Sequence, residues 1–243
     1  AFTKERDLLN FHSLCCSIVL DGLYKMSGRD HFKDSDAQKI PWVELDDTAI
    51  FRTLQLTCLT SHYEGLWNRN SHGLQPLSWS QDHPFLDEIE CDPGVSWSRK
   101  CAVRTEFGRR LALIEIHVLV DQALGLSLTQ LLEIYEIYFP VLQKKETNTF
   151  FDSKGNVVWI SAKGADKVGY FEPSGKKVSQ ANWKKILAHN PPELTCTVID
   201  DTMPGGPREV TRHFVGPFTQ SDRIEDYKRA WAHFERLKSE DAA

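Results

Sequence analysis

Asn190-Pro191-Pro192 is a stretch of this sequence whose residue types could do chemistry. In amino methylation of DNA, an Asn/Asp-Pro-Pro-aromatic loop accepts hydrogen bonds from the target amino group while its ring stacks on the extruded base. Here Glu193 stands where the ring belongs, and no glycine-rich strand-to-helix turn precedes the loop to cradle a methyl donor. The tripeptide therefore reads as a rigid connection between a helix and a strand. Asp200, Asp201 and Glu209 suggest a second chemistry, metal-dependent phosphodiester cleavage, which needs converging carboxylates and usually a lysine on an adjacent strand. No Glu-x-Lys element accompanies them, and a turn rich in Asp, Gly and Pro is what any hairpin requires. Cys58 and His62 have the i, i+4 spacing of two zinc ligands on a helix, without two further ligands nearby. No Gly-x-Ser-x-Gly nucleophile turn occurs, and His117, within a mostly apolar helix, reads as a core group. No catalytic residue and no metal ligand are assigned on these grounds.

Cations give the stronger signal. Arg99, Lys100, Arg104, Arg109 and Arg110 crowd the start of one predicted helix, with Glu106 the single acid among them. Lys163, Lys167, Lys176, Lys177, Lys184 and Lys185 form a second cluster, against Asp166 and Glu172. Tyr170, Phe171 and Trp183 interleave with the second cluster. Cations for phosphates, with rings or the hairpin turn from Met203 to Gly206 for a groove, are what a reader of duplex DNA needs. The alternative is a solvated charged face. The formal net charge of -5 argues against a general polyanion binder, but a local patch depends only on the phosphates it neutralises.

These residues must be positioned by a chain of 243 residues, 41% hydrophobic and 26% charged, which is ample for a core. Six cysteines (Cys15, Cys16, Cys58, Cys91, Cys101 and Cys196) form no Cys-x-x-Cys pair, consistent with reduced thiols in a cytoplasmic protein. No stretch approaches a membrane span. The start Ala1-Phe2-Thr3-Lys4 is no secretory signal and reads as a cut into something longer.

Apolar periodicity predicts a first helix over 5–26 and a second over 48–67, capped by Asp46 or Asp47. Residues 68–98 form an irregular excursion anchored by Trp79, Phe85 and Trp97. A third helix spans about 102–124 and stops at Gly125. Ser127 and Gln130 make a capping box for a fourth helix that ends before Pro140. Joined through Gly125, the third and fourth helices could form a helix-turn-helix, but Glu133 and Glu136 would repel phosphates, so a core hairpin fits better. Beyond residue 147 the period changes to that of strands. A hairpin over 149–160, a helix over 179–189, a second hairpin pairing 195–199 with 209–215 and a closing helix over 222–238 follow. The expected architecture is α+β: a helical scaffold over 1–145, then a small two-hairpin module with a C-terminal helix over 146–243.

Several segments, in order, resemble the C-terminal region of large, single-chain, adenine-specific DNA methyltransferases, the type IIG-like restriction–modification enzymes and their phage-defence relatives. Leu9-Asn10, Ser17 to Asp21, Lys25, Ser27-Gly28 and Ile40-Pro41 resemble the helix that closes the target-recognition domain in that family. Leu56 to Thr60, His62-Tyr63 and Leu66-Trp67 resemble the helix after it, and Leu113 to Ile116, Ala123 to Leu126, Ile134-Tyr135 and Phe139 to Leu142 the next block. Thr149, Phe151-Asp152, Gly155-Asn156 and Val158 resemble a Thr-Trp-Tyr-Asp-x-x-Gly-Arg-Ile-Val hairpin. Asp200 to Pro207, Pro217-Phe218, Asp222-Arg223, Asp226-Tyr227 and Ala230-Trp231 resemble the end. The family's Arg in the first motif is missing, since Leu23 and Tyr24 precede Lys25. The resemblance implies a part that recognises or clamps double-stranded DNA while S-adenosylmethionine and the methyl-transfer site belong to a catalytic domain or subunit outside this chain. A module that docks a methyltransferase or helicase, and a metal-dependent nuclease, are the alternatives.

Overall fold

The computed structural model describes residues 4–28, 31, 33–89, 92–162, 165, 167–202 and 204–241. Among them the chain is α+β, with ten α-helices and two small antiparallel sheets. It divides into two compact units. The first comprises Ala1–Arg104, Gly108–Pro140 and Arg223–Ala243; the second comprises Thr105–Phe107 and Val141–Asp222. The division departs from the boundary expected near residue 145, because the C-terminal helix returns to the helical unit rather than closing the small one.

The helical unit holds α1 (Glu5–Cys15), α2 (Ile18–Met26), α3 (Asp34–Ala37), α4 (Asp47–Thr57), α5 (Glu64–Asn70), most of α6 (Glu106–Ala123), α7 (Leu128–Tyr138) and α10 (Arg223–Asp241). The single helix expected over 5–26 is two. Ser17 adopts an extended backbone and its side chain accepts from the Val19 N–H, which starts a new helix one residue on. The helix expected over 48–67 also breaks. Asp46 caps α4 as expected, accepting from the Ala49 N–H, but helical geometry stops at Thr57. A 3-10 turn over Ser61–Tyr63 precedes α5. The wide apolar stripes concealed both breaks, since buried residues flank each of them.

Two helices form the interior. In α4 every residue from Thr48 to Leu56 is buried, Arg52 included. In α6 Leu111, Ala112, Ile114, Ile116, Val118 and Val120 are fully enclosed. Arg52 Nε donates to Glu115 Oε2 at 2.6 Å, and its guanidinium lies 3.5 Å over the Trp79 ring. Glu115 Oε1 accepts from the Ser80 N–H at 2.7 Å, and Arg52 also donates to the Leu77 carbonyl at 3.2 Å. This knot fastens the excursion over 68–98 to the core. Trp97 secures its far end by donating from Nε1 to the Cys58 carbonyl at 2.8 Å, and Phe85 is buried midway along it.

A second polar cluster lies deeper. His117 Nε2 donates to the Cys16 carbonyl at 2.9 Å, so its Nδ1 accepts from the Tyr227 hydroxyl at 2.8 Å. Burial, with Arg223 and Arg110 nearby, pushes the imidazole down to about 3. One turn on, Asp121 is fully buried and neither carboxyl oxygen has a partner among the described residues; burial pushes it up to about 8. The two groups give opposite pH dependences. A neutral buried histidine contributes stability above its unfolded value of 6.5 that is lost as pH falls through about 3. A protonated buried carboxyl contributes stability below its unfolded value of 3.8 that is lost as pH rises through about 8. Between 3.8 and 6.5 the slopes cancel, and above 6.5 only the Asp121 slope remains. Thermal melts across pH should therefore show a plateau and then a fall towards pH 8 of up to about 1.4 kcal/mol per pH unit. Asp121→Asn should remove that fall, and an unchanged profile would refute the assignment.

The small unit contains α8 (Pro140–Glu146, from Val141 on), β1 (Thr149–Phe151), β2 (Val157–Ile160), α9 (Gln180–His189), β3 (Glu193–Asp200), β4 (Arg208–Val215) and β5 (Thr219–Gln220). One sheet has the order β2-β1-β5 and the other is the β3-β4 ribbon. α8 is absent from the sequence expectation, which treated Pro140 as an end; proline is equally at home in a first helical turn, where its missing N–H costs nothing. The first hairpin turns on Asp152, whose Oδ1 accepts from the Lys154 and Asn156 N–H groups. Gly169, at φ +88°, passes beneath β2 so closely that a Cβ there would lie 2.5 Å from the Val158 carbonyl oxygen. Behind these elements Val158, Trp159, Phe171, Val178, Trp183, Cys196 and Phe214 form the core.

The ribbon has two distinct faces. Leu194, Cys196, Val198 and Phe214 point into the core. Thr195, Thr197, Thr211 and His213 point out, in the registered pairs Thr195↔His213 and Thr197↔Thr211.

Candidate nucleic-acid interface

The first expected cation cluster is largely consumed by the fold. Arg110 is buried and donates to Asp226 at 2.6 Å. Arg109 donates to the Leu56 and Val103 carbonyls, and Arg104 to those of Arg99 and Leu59. Arg109 thus satisfies an orphan carbonyl at the C-terminal end of α4, where cations are favoured. Arg99 and Lys100 are exposed on a 3-10 turn. The five cations therefore do not stand together as the expected phosphate clamp, since Arg104, Arg109 and Arg110 serve the helical core.

The second cluster is also divided. Lys163, like Asp166, Met203 and Cys91, lies outside the described residues. Lys167 pairs with Asp201 at 2.7 Å, and Lys177 Nζ donates to the Ala165 carbonyl. Phe171 and Trp183 are core residues, Trp183 only 1% exposed, so neither ring is available to a groove. Tyr170 is half-buried at the surface.

Lys176, Lys184 and Lys185 remain exposed, without an acidic partner among the described residues. Lys184 and Lys185 sit on α9, whose start is fixed by Ser179 accepting from the Asn182 N–H at 3.2 Å. Trp183 turns inward and anchors the helix, so its neighbours in sequence face out. Ala181 and Ala188, three before and four after Lys184, are exposed on the same side.

The fold adds two lysines that sequence reasoning left out. Lys144 and Lys145 are exposed on the last turn of α8. Gln180 Nε2 donates to Asn148 Oδ1 at 3.5 Å, which brings the end of α8 beside the first turn of α9. The Lys144-Lys145 pair repeats the form of Lys176-Lys177 and Lys184-Lys185, and that repetition was the available signal. The small unit carries eleven Lys and Arg against ten Asp and Glu, net +1, while the helical unit carries eighteen against twenty-four, net -6. The small unit is therefore the more basic of the two, and Lys184 and Lys185 are exposed on its α9.

Asn190 ends α9 in the left-handed conformation at φ 44°, its N–H bonded to the Ile186 and Leu187 carbonyls, so the Asn-Pro-Pro stretch is a helix stop. Asp201 is held by Lys167, and Asp200 accepts from the Thr202 hydroxyl and N–H; these hydrogen bonds hold both carboxyls below the usual range. Glu209 pairs in register with Ile199 rather than with either aspartate. Cys58 is buried beyond the end of α4 and His62 is exposed on the 3-10 turn, so they share no helix face. Among the described residues no three His, Cys, Asp or Glu side chains converge, and no helix is long and apolar enough to cross a membrane. No protein-family model, no curated protein and no solved structure matches the chain.

Proposed function

We propose that the small unit grips the phosphate backbone of double-stranded DNA along Lys144, Lys145, Lys176, Lys184 and Lys185, as the recognition part of an S-adenosylmethionine-dependent adenine methylation system. The observation that carries this reading is a set of exposed lysines without an acidic partner among the described residues, Lys144 and Lys145 on α8, Lys184 and Lys185 on the adjoining α9 and Lys176 in the loop before it, in the more basic unit. The resemblance of ordered segments to the C-terminal region of type IIG-like methyltransferases supplies the system; methyl transfer and its cofactor are assigned to a catalytic domain or subunit, and no step of it to this chain.

Fluorescence anisotropy with duplex DNA at about 50 mM and about 200 mM salt tests the proposal. Replacing Lys144, Lys145, Lys184 and Lys185 together by Gln should weaken binding at least tenfold. The slope of log affinity against log salt should fall by about 0.9 for each phosphate that is no longer neutralised. Lack of binding at both salt concentrations, or a slope indifferent to the four changes, would count against it.

A second reading, docking of a methyltransferase or helicase partner, is favoured by a different observation. The acidic helical unit has a groove of about 520 Å³ walled by Leu20, Leu23, Tyr24, Ile40 and Pro41. Leu23 is 47% exposed in that groove, and Trp42, next to Pro41 in sequence, is 46% exposed. Co-purification with such a partner in the absence of any DNA affinity would select this reading.

A further inference from the structure

A surface cavity of about 400 Å³ in the small unit lies at the side of α9 and carries Lys185 on its rim. Its size falls at the lower end of small-molecule clefts, which run from roughly 300 to 1,000 Å³, and suits one heterocycle with part of its sugar. Ile186 supplies an apolar wall and Tyr170 an aromatic one. The backbone that carries Tyr170 is fixed. Its N–H donates to the Val158 carbonyl at 2.8 Å, and the residue before it is the glycine that β2 leaves no room to replace. Such a platform loses little freedom when a ring stacks on it.

The polar groups of the cavity converge. Asn182 Nδ2 donates to Glu172 Oε1 at 2.8 Å, which fixes both side chains. Glu172 Oε2 and Asn182 Oδ1 have no partner among the described residues and are left as acceptors at the cavity. His189 Nδ1 donates to the Lys185 carbonyl at 2.7 Å, so its Nε2 is the ring nitrogen left for a ligand. A stacking ring, paired acceptors, an imidazole and a cation at the mouth are complementary to a nucleotide whose base carries an exocyclic amine. A base paired within a duplex cannot offer that edge and both its faces at once.

We infer that this cavity receives a single unstacked nucleobase from the strand held along α9, with Tyr170 stacked on the base, Glu172 and Asn182 accepting from its exocyclic amine, and Lys185 on its phosphate. The inference rests on the DNA grip proposed above and adds a reader to it. Adenine, cytosine and guanine fit this edge; thymine, which lacks an amine, does not.

The test uses the full chain with two duplexes of one sequence, fully paired or carrying a one-nucleotide 2-aminopurine bulge, followed by anisotropy and by 2-aminopurine emission. The bulged duplex should bind about five- to tenfold more tightly, the lower end of what stacking of one base contributes, and its emission should be quenched. Tyr170→Ala should keep the affinity for the paired duplex while losing both the preference and the quench, and Tyr170→Phe should keep both. A bulged thymine, which can stack on Tyr170 but offers no amine to Glu172 and Asn182, should bind less tightly than bulged 2-aminopurine. Equal affinity for bulged and paired DNA with unquenched emission would overturn the base pocket and leave the lysine grip standing. Absence of affinity for either duplex would overturn the grip and the pocket together.

Discussion

Glu115→Ala should lower the unfolding free energy of the helical unit by about 3–5 kcal/mol, the range for breaking a buried ion pair from one side. The Arg52 and Glu115 side chains are 2% and 0% exposed, so the guanidinium left behind has no water to turn to. The Ser80 N–H loses its acceptor in the same step. Trp79 keeps its place under the Arg52 guanidinium, but a ring face does not replace a carboxylate at 2.6 Å. Replacing both partners with apolar residues of similar size, Arg52→Met with Glu115→Leu, should cost less than the sum of the single changes, because no uncompensated charge remains. Urea melts of the parent, Arg52→Met, Glu115→Leu and their combination complete the cycle, with Glu115→Ala measured beside them. A single-variant loss below about 1 kcal/mol, in the range of a solvent-exposed pair, would sink this account.

Trp183→Ala should destabilise the small unit by about 3–5 kcal/mol, as removal of a fully buried indole does. The ring stacks on Trp159 at 5.8 Å and 3° and meets Phe150 and Phe218 at 5.6 and 6.0 Å. Trp183→Phe should be much milder. The indole N–H has no partner among the described residues, so phenylalanine gives up area but also removes a buried donor that nothing there satisfies. DNA affinity of the folded Trp183→Phe protein should equal that of the parent, which separates a core residue from a groove reader. A large loss of affinity at unchanged stability would return the ring to the interface.

Local signals in the sequence were legible and long-range ones were not. Asp46, Ser127 and Ser179 mark helix starts because a capping side chain bonds to its own next turn, and all three do so. Both hairpins followed from alternation and breaker-rich turns. The break at Ser17 did not, because buried apolar residues lie on either side of it and the stripe runs on. The return of α10 to the helical unit rests on pairs such as Arg110–Asp226 and His117–Tyr227, more than a hundred residues apart in sequence. Of the cations, a sequence shows where they crowd but not what they face. Arg104 and Arg109 look free in one dimension and are spent on carbonyls from other segments; Lys144 and Lys145 look incidental and stand beside α9.

The two outward surfaces of the small unit, the threonine-lined side of the ribbon and the lysine-lined side of α9, are backed by the same layer of aromatic side chains. Trp183 of α9 and Cys196 and Phe214 of the ribbon belong to that one buried layer. A change of side-chain volume at any of these positions is therefore felt on both surfaces at once, because a close-packed layer has no slack to absorb it.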